Sequence, residues 1–348
     1  MSWHTGDTVV LAATGYDQAE AEKVVIGDAR HRSGTGYGSP TVLQSTSTLT
    51  HRHFAAIEKH SNFDVDMRAE VALVSRNIEV HSIDMHDSDF NFKPQDRGSI
   101  TFGYRVSVLA GGEANFQAVR FVKGGSFESP KVYSPTIRFA SAGSVARSCV
   151  FDEMFSQPIR VQARAVVVDR NVVINSVMSA IKVVTAGAIV TNNLVLGAHC
   201  FPLCAGCCGK WAVFAGAYEV DAGASDDLTF TGNVAAGGPI GFKFNTAPPG
   251  IFHDNTVHST QIGIAVNGAC EGRPVRLRDT IVLHPRVRTH GPARTRVALP
   301  VNRARTRGAL PVRRRCTALG TLRCGGTRRV LVTSSSLTTS CWWTRRSA

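Results

Sequence analysis

Apolar positions in this chain follow two superposed periods, an alternation within short tracts and a return of whole tracts every 22 residues. Ile137-Arg138-Phe139, Ile159-Arg160-Val161 and Ile181-Lys182-Val183 are apolar–basic–apolar triplets one such step apart. A second ladder runs in phase, because Val167-Val168-Asp169-Arg170-Asn171-Val172-Val173 maps onto Ile189-Val190-Thr191-Asn192-Asn193-Leu194-Val195. The interval resumes with Asn233 followed by Asn255, Phe242 by Ile264 and Phe244 by Val266. A unit this short cannot bury its apolar face alone and must stack on a copy of itself. The step is about one turn of a parallel β-helix, so the pattern predicts an all-β chain with a right-handed parallel β-helix over residues 99–283.

Alternation puts Ile137, Ile159 and Ile181 inside and sends Arg138, Arg160 and Lys182 outward on one face, with rungs about 4.8 Å apart. Like charges this close are easier to hold when a polyanion or a flanking acid neutralises them, which makes these three the candidate ligand-binding residues. The alternative is a solvated face with splayed charges. Asn171 and Asn193 predict stacked turns, where an Asn side chain tolerates left-handed backbone and hydrogen-bonds its counterpart one rung away. Cys149 shares their phase. Asn193 and Asn233 are 40 residues apart, one step plus 18, and the excess predicts a loop excursion.

Residues 1–98 read as a β-rich segment. Strand-length, β-branched tracts lie at Thr8-Val9-Val10-Leu11, Lys23-Val24-Val25-Ile26, Val71-Ala72-Leu73-Val74 and Asn77-Ile78-Glu79-Val80. Residues 30–48 are rich in Gly, Ser and Thr and predict a long loop, while residues 17–23 carry a short helical pattern.

Charge changes the picture at the other end. The net charge is +13, but all fifteen basic residues after position 280 are Arg and no acid accompanies them. Subtracting that fifteen leaves −2 for residues 1–280, so the basic character belongs to the tail alone. Residues 284–348 predict a disordered Arg-rich tail, since like charges repel and core-forming residues are few. Two origins fit it, a polyanion-binding basic arm and a stretch read out of frame. The absence of Lys and the abrupt compositional break favour the second, so no specific nucleic-acid partner is expected.

No apolar stretch of about 18 residues suggests a membrane span, and the N-terminus lacks the basic and apolar regions of a signal peptide. Four of the nine cysteines crowd into residues 200–208 beside His199. His199, Cys200, Cys204 and Cys207 have metal-ligand residue types, but no second knuckle with matching spacing follows. A loop disulfide and reduced thiols remain open beside that weak metal candidate, and no cofactor is expected. Two polar clusters, His253-Asp254 with His258 and the run from His81 to Asp89, read as solvated turns.

Two longer motifs carry a family resemblance. Trp3-His4-Thr5-Gly6-Asp7-Thr8-Val9-Val10-Leu11-Ala12-Ala13-Thr14 and Val65-Asp66-Met67-Arg68-Ala69-Glu70-Val71-Ala72-Leu73-Val74 resemble fibrocystin and the fibrocystin-like proteins. That family shares an eight-glycine domain and parallel β-helix repeats with the cell-surface hyaluronidases. The resemblance spans about residues 3–275 and implies an extracellular or cell-surface piece of a longer membrane protein. It also implies a histidine-bearing rung corresponding to Tyr133-Ser134-Pro135-Thr136-Ile137-Arg138-Phe139, yet Arg138 and Ala140 replace both histidines here. An Arg cannot shuttle protons near neutrality. Asp226 and Asp227 are adjacent and would face opposite sides of a strand, and Asp169 lacks an acidic counterpart one rung away, so no facing carboxylate pair is legible. The expected role is a non-enzymatic recognition or structural module that binds acidic polysaccharide or an extracellular protein. The alternative is a hyaluronidase-like hydrolase or lyase.

Overall fold

A computed structural model describes residues 3–15, 17, 20–31, 41–60, 63–82, 101–129, 132–199, 215–221, 227–245, 249–266, 281–283 and 330–332. The repeats wind into a parallel β-helix whose coils have three faces. The first face stacks Val106–Val108, Ile137–Phe139, Ile159–Val161, Ile181–Val183 and Tyr218–Val220, then continues through Phe242 to Phe244 and Ile264 to Val266. The second stacks Asn115–Gln117, Val145–Arg147, Val167–Asp169, Ile189–Thr191, Thr229–Thr231 and Ile251–His253. The third runs from Val119–Val122 through Val150–Met154, Val172–Val177 and Leu194–His199 to the long strands Val234–Phe244 and Thr256–Val266.

Ile137, Ile159 and Ile181 lie in register in the interior, as the alternation predicts, and Tyr218, Phe242 and Ile264 extend their column. The upper coils are filled by rings. Tyr218 stacks on Phe242 at 4.7 Å between centroids, and Phe252 meets Phe242 edge-on at 5.1 Å. Such contacts add to the burial itself, which is the dominant favourable term in a stack of this kind.

One corner of each coil is held by an asparagine ladder. Asn171, Asn193, Asn233 and Asn255 are fully buried, and each Oδ1 accepts the backbone N–H of the corner residue one coil before it, at 2.9–3.1 Å. Their Nδ2 groups donate to carbonyls of Ala146, Val168, Val190 and Phe230. Cys149 caps the ladder as the first member. The left-handed backbone expected at the asparagines falls one residue earlier, at Ser148, Arg170, Asn192, Gly232 and Asp254, with φ of 54° to 66°. The chain turns at the preceding residue, which leaves the Asn amide aimed along the axis.

The parallel stack begins before residue 99, because Ile78–His81 already pairs with Val119–Val122. At the far end Ile281–Leu283 pairs with Thr256–Val266. Of the tail, only Val330–Val332 is described, and it pairs antiparallel with Ile264 to Val266, so these three residues are not free of the helix. The rest of 284–348 lies outside the described residues.

The N-terminal segment forms an antiparallel sheet in the order Thr41–Ser45, Glu22–His31, Thr8–Leu11, Val71–Leu73. Two expectations fail here. Residues 41–45 are a strand in the stretch read as a loop, because Thr41, Val42 and Leu43 are β-formers that pair with Ala29 to His31. Glu22 and Lys23 open a strand in the stretch read as helical. The sheet packs on the outer side of the third face, where Val10, Ala12 and Val74 cover Val150, Ile174 and Leu196. Buried Asp152 ties the two parts through Lys23 at 2.6 Å and is also paired, within the helix, with Arg120 at 2.8 Å.

Within this segment the Glu22 carboxylate accepts the Thr50 and His51 backbone N–H groups, the Thr50 hydroxyl and His53 Nε2. Burial raises its pKa, but these hydrogen bonds outweigh it and lower the value from 4.5 to about 2. A depressed folded pKa means that the stabilisation is complete above 4.5 and is lost as pH falls towards about 2. Thermal melts across that window should therefore show a smaller acid loss in Glu22→Gln than in the wild type. Parallel pH profiles would contradict the cradle.

Candidate cationic groove on the first face

The outward positions of the first face read, coil by coil, Ser107, Arg138, Arg160, Lys182, Glu219, Lys243 and Ala265. This column divides into two halves of different character. In the lower half a groove of about 280 Å³ is lined by Arg105, Arg138 and Arg160, with Tyr133, Pro135 and Gln162 between them. Ser126–Ser129 and Val132–Ser134 pair as a hairpin arm on this coil, and Tyr133 and Ser134 at its end bring a ring and a hydroxyl to the groove.

Arg105 Nη1 donates to Ser134 Oγ at 3.1 Å, and Arg138 Nε donates to Gln162 Oε1. Arg160 Nε is buried without a hydrogen-bond partner. Among the described residues no carboxylate forms an ion pair with any of the three guanidinium groups. Unit charges about 5 Å apart repel by roughly 1–3 kcal/mol between bulk-water and surface dielectrics, so the bare column has a standing preference for an anion.

Lys182 departs from the expected cationic ladder. It is in register with Arg160, but only 8% of it is exposed, and its Nζ lies 2.5 Å from Asp221 and 3.3 Å from Glu219. Burial lowers its pKa, yet the charge of Glu219, the Asp221 hydrogen bond and the Asp221 charge outweigh this and raise it. Burial likewise raises Asp221, and hydrogen bonds from Lys182 and Asn245 overcome that and lower it. Glu219 also accepts from Lys243 at 3.1 Å, from Asn245 at 2.9 Å and from Ser179. The upper half of the column is thus a closed, neutralised cluster, in which Lys182 is buried and already holds two carboxylates rather than standing outward as a bare cation.

Sequence reasoning missed Arg105, Tyr133 and Gln162 as groove residues and Glu219 as the neutraliser. A fixed 22-residue step could not find them. Val106 pairs with Ile137 across 31 residues because the hairpin arm intervenes, and Lys182 pairs with Glu219 across 37 because of the excursion after His199.

The remaining candidates fall elsewhere. His199 ends the strand Leu194–His199, while its side chain and Cys200, Cys204 and Cys207 lie outside the described residues. So do residues 83–89 of the run from His81 to Asp89. Among the described residues no group of three or more His, Cys, Asp or Glu could hold a metal ion. His253 and Asp254 form an exposed turn, but His258 does not belong with it: it is buried, and its Nε2 lies 2.9 Å from Glu70 of the N-terminal segment. Asp169 sits on the second face against Arg147 at 3.2 Å. Among the described residues no helix is long and apolar enough to cross a membrane.

No protein-family model matches this chain, and comparison with curated proteins finds no match.

Proposed function

We propose that this chain is a non-enzymatic recognition module that binds acidic polysaccharide in the groove of Arg105, Arg138 and Arg160. The observation that carries this reading is the contrast along one face: Lys182 and Lys243 have carboxylate partners, whereas the three arginines at the groove have none among the described residues. Guanidinium forks suit carboxylate and sulfate oxygens, the Tyr133 ring offers an apolar surface to a sugar face, and Gln162, Ser107 and Ser134 can meet hydroxyls. On the resemblance to fibrocystin-like ectodomains, such a module would work at the cell surface as part of a longer membrane protein.

The hydrolase or lyase alternative is less favoured. The carboxylates of the same face, Glu219 and Asp221, are held by Lys182, and among the described residues no carboxylate lines the groove.

Calorimetric titration of heparin oligosaccharides into the wild type and into Arg105→Ser/Arg138→Ser/Arg160→Ser tests the proposal. Losing three charge-assisted contacts worth about 1 kcal/mol each should weaken the groove site roughly 100-fold. Wild-type binding should also fall with salt, since exposed charges are screened over about 8–10 Å. The tail arginines contribute equally to both proteins, so the difference reports the groove. Identical titrations would refute the site, and glycan depolymerisation would overturn the non-enzymatic reading.

A further inference from the structure

Resting on the acidic-glycan reading, we propose that the groove selects glycans bearing an anion on every sugar over glycans charged on alternate sugars, and reads a run of about three such anions. The three arginines come one from each of three successive coils, Arg105 just before Val106–Val108, Arg138 in Ile137–Phe139 and Arg160 in Ile159–Val161. Parallel pairing puts Arg138 in register with Arg160 and with Ser107, at about 4.8 Å per coil, and Arg105, two residues before Ser107, brings the third guanidinium to the lower end of the groove. An extended pyranose chain advances by a comparable length per sugar, so a chain lying along the axis presents one sugar to each guanidinium. A glycan charged on every sugar fills all three positions. One charged on alternate sugars leaves an arginine facing a neutral ring or must bend.

The ends of the run are set by the same column. Above Arg160 the equivalent position is Lys182, which Glu219 and Asp221 already neutralise, and a fourth anion would approach the partly exposed Asp221 carboxylate. Below Arg138 the column continues as Ser107, with Arg105 beside it as the last cation lining the groove. Gln162 holds Arg138 from the side.

Ligands of equal charge and different spacing separate the ideas. Trigalacturonate carries three carboxylates on three sugars, and a hyaluronan hexasaccharide carries three on six. Because total charge is matched, the tail arginines discriminate little between them. The full chain should bind trigalacturonate about tenfold or more tighter, a difference of about 1.4 kcal/mol or more. This preference should vanish in Arg138→Ser/Arg160→Ser, whose unchanged melting would show that the fold persists. Sulfated maltotriose supplies a third arm. Whichever anion it favours, groove-dependent binding of both every-sugar ligands above hyaluronan supports the proposal. Equal wild-type affinities for trigalacturonate and hyaluronan would overturn the spacing rule while leaving the acidic-glycan reading intact. Failure of every glycan to show groove-dependent binding would overturn both.

Discussion

Replacing Glu219 by Ala should destabilise the β-helix by about 3–5 kcal/mol, because it removes the buried carboxylate that the Lys182 and Lys243 ammonium groups share. Glu219 is 4% exposed and Lys243 only 2%, so water cannot take the place of the lost partner. In a domain of this size, that loss corresponds to a fall in melting temperature of roughly 6–20 °C. The cause can be separated from simple cavity formation. Changing Glu219, Lys182 and Lys243 together to Met removes the three most buried charges, leaves the part-exposed Asp221 to water and should recover much of the stability, since apolar replacement of buried ion pairs is often neutral or better. A Glu219→Ala protein that melts within a degree of wild type would show that the cluster is solvated after all.

A comparable loss is expected from Asn193→Ala, in the middle of the corner ladder. Asn193 Oδ1 accepts both the backbone N–H and the Nδ2 of Asn171, while its own Nδ2 donates to Val168 O and Asn233 Oδ1. Truncation leaves buried polar groups on Asn171 and Val168 without partners, at about 1–3 kcal/mol each, for a total on the order of 3–6 kcal/mol. Chemical denaturation gives the value, and hydrogen exchange gives the location. Protection should fall first at Asn171 N–H and its neighbours. Asn255→Ala frees the equivalent groups on Asn233 and Phe230 and should cost a similar amount; a negligible cost at both sites would contradict the ladder.

The repeat was legible wherever two successive coils have equal length. Ile137, Ile159 and Ile181 are 22 residues apart and stack as the alternation requires, and the phase shared by Cys149, Asn171 and Asn193 identifies the ladder. What the sequence hid is long-range pairing across insertions of unequal length. The sequence step extends the cation column to Lys182 with no sign that it ends there, because Glu219 arrives 37 residues later and Asp221 alongside it. Arg105 gave no signal for the same reason, being separated from Arg138 by the hairpin arm. The docking of the N-terminal sheet also had no local signature. Val10, Ala12 and Val74 look like ordinary half-buried strand residues until Ile174 and Leu196 turn out to need a cover. His258, read as part of a surface turn, belongs to that same interface through Glu70.

Whether the uncompensated arginines of the first face, and not the neutralised lysines above them, bind an anionic chain is read most directly from a crystal structure of the full chain grown with trigalacturonate. Carboxylates are expected within hydrogen-bonding distance of Arg105, Arg138 and Arg160, with the sugar chain along the helix axis and the Lys182–Glu219–Asp221 cluster undisturbed. Ligand seated on Lys182 or Lys243 with Glu219 displaced, or an empty groove with ligand bound elsewhere, would contradict that expectation.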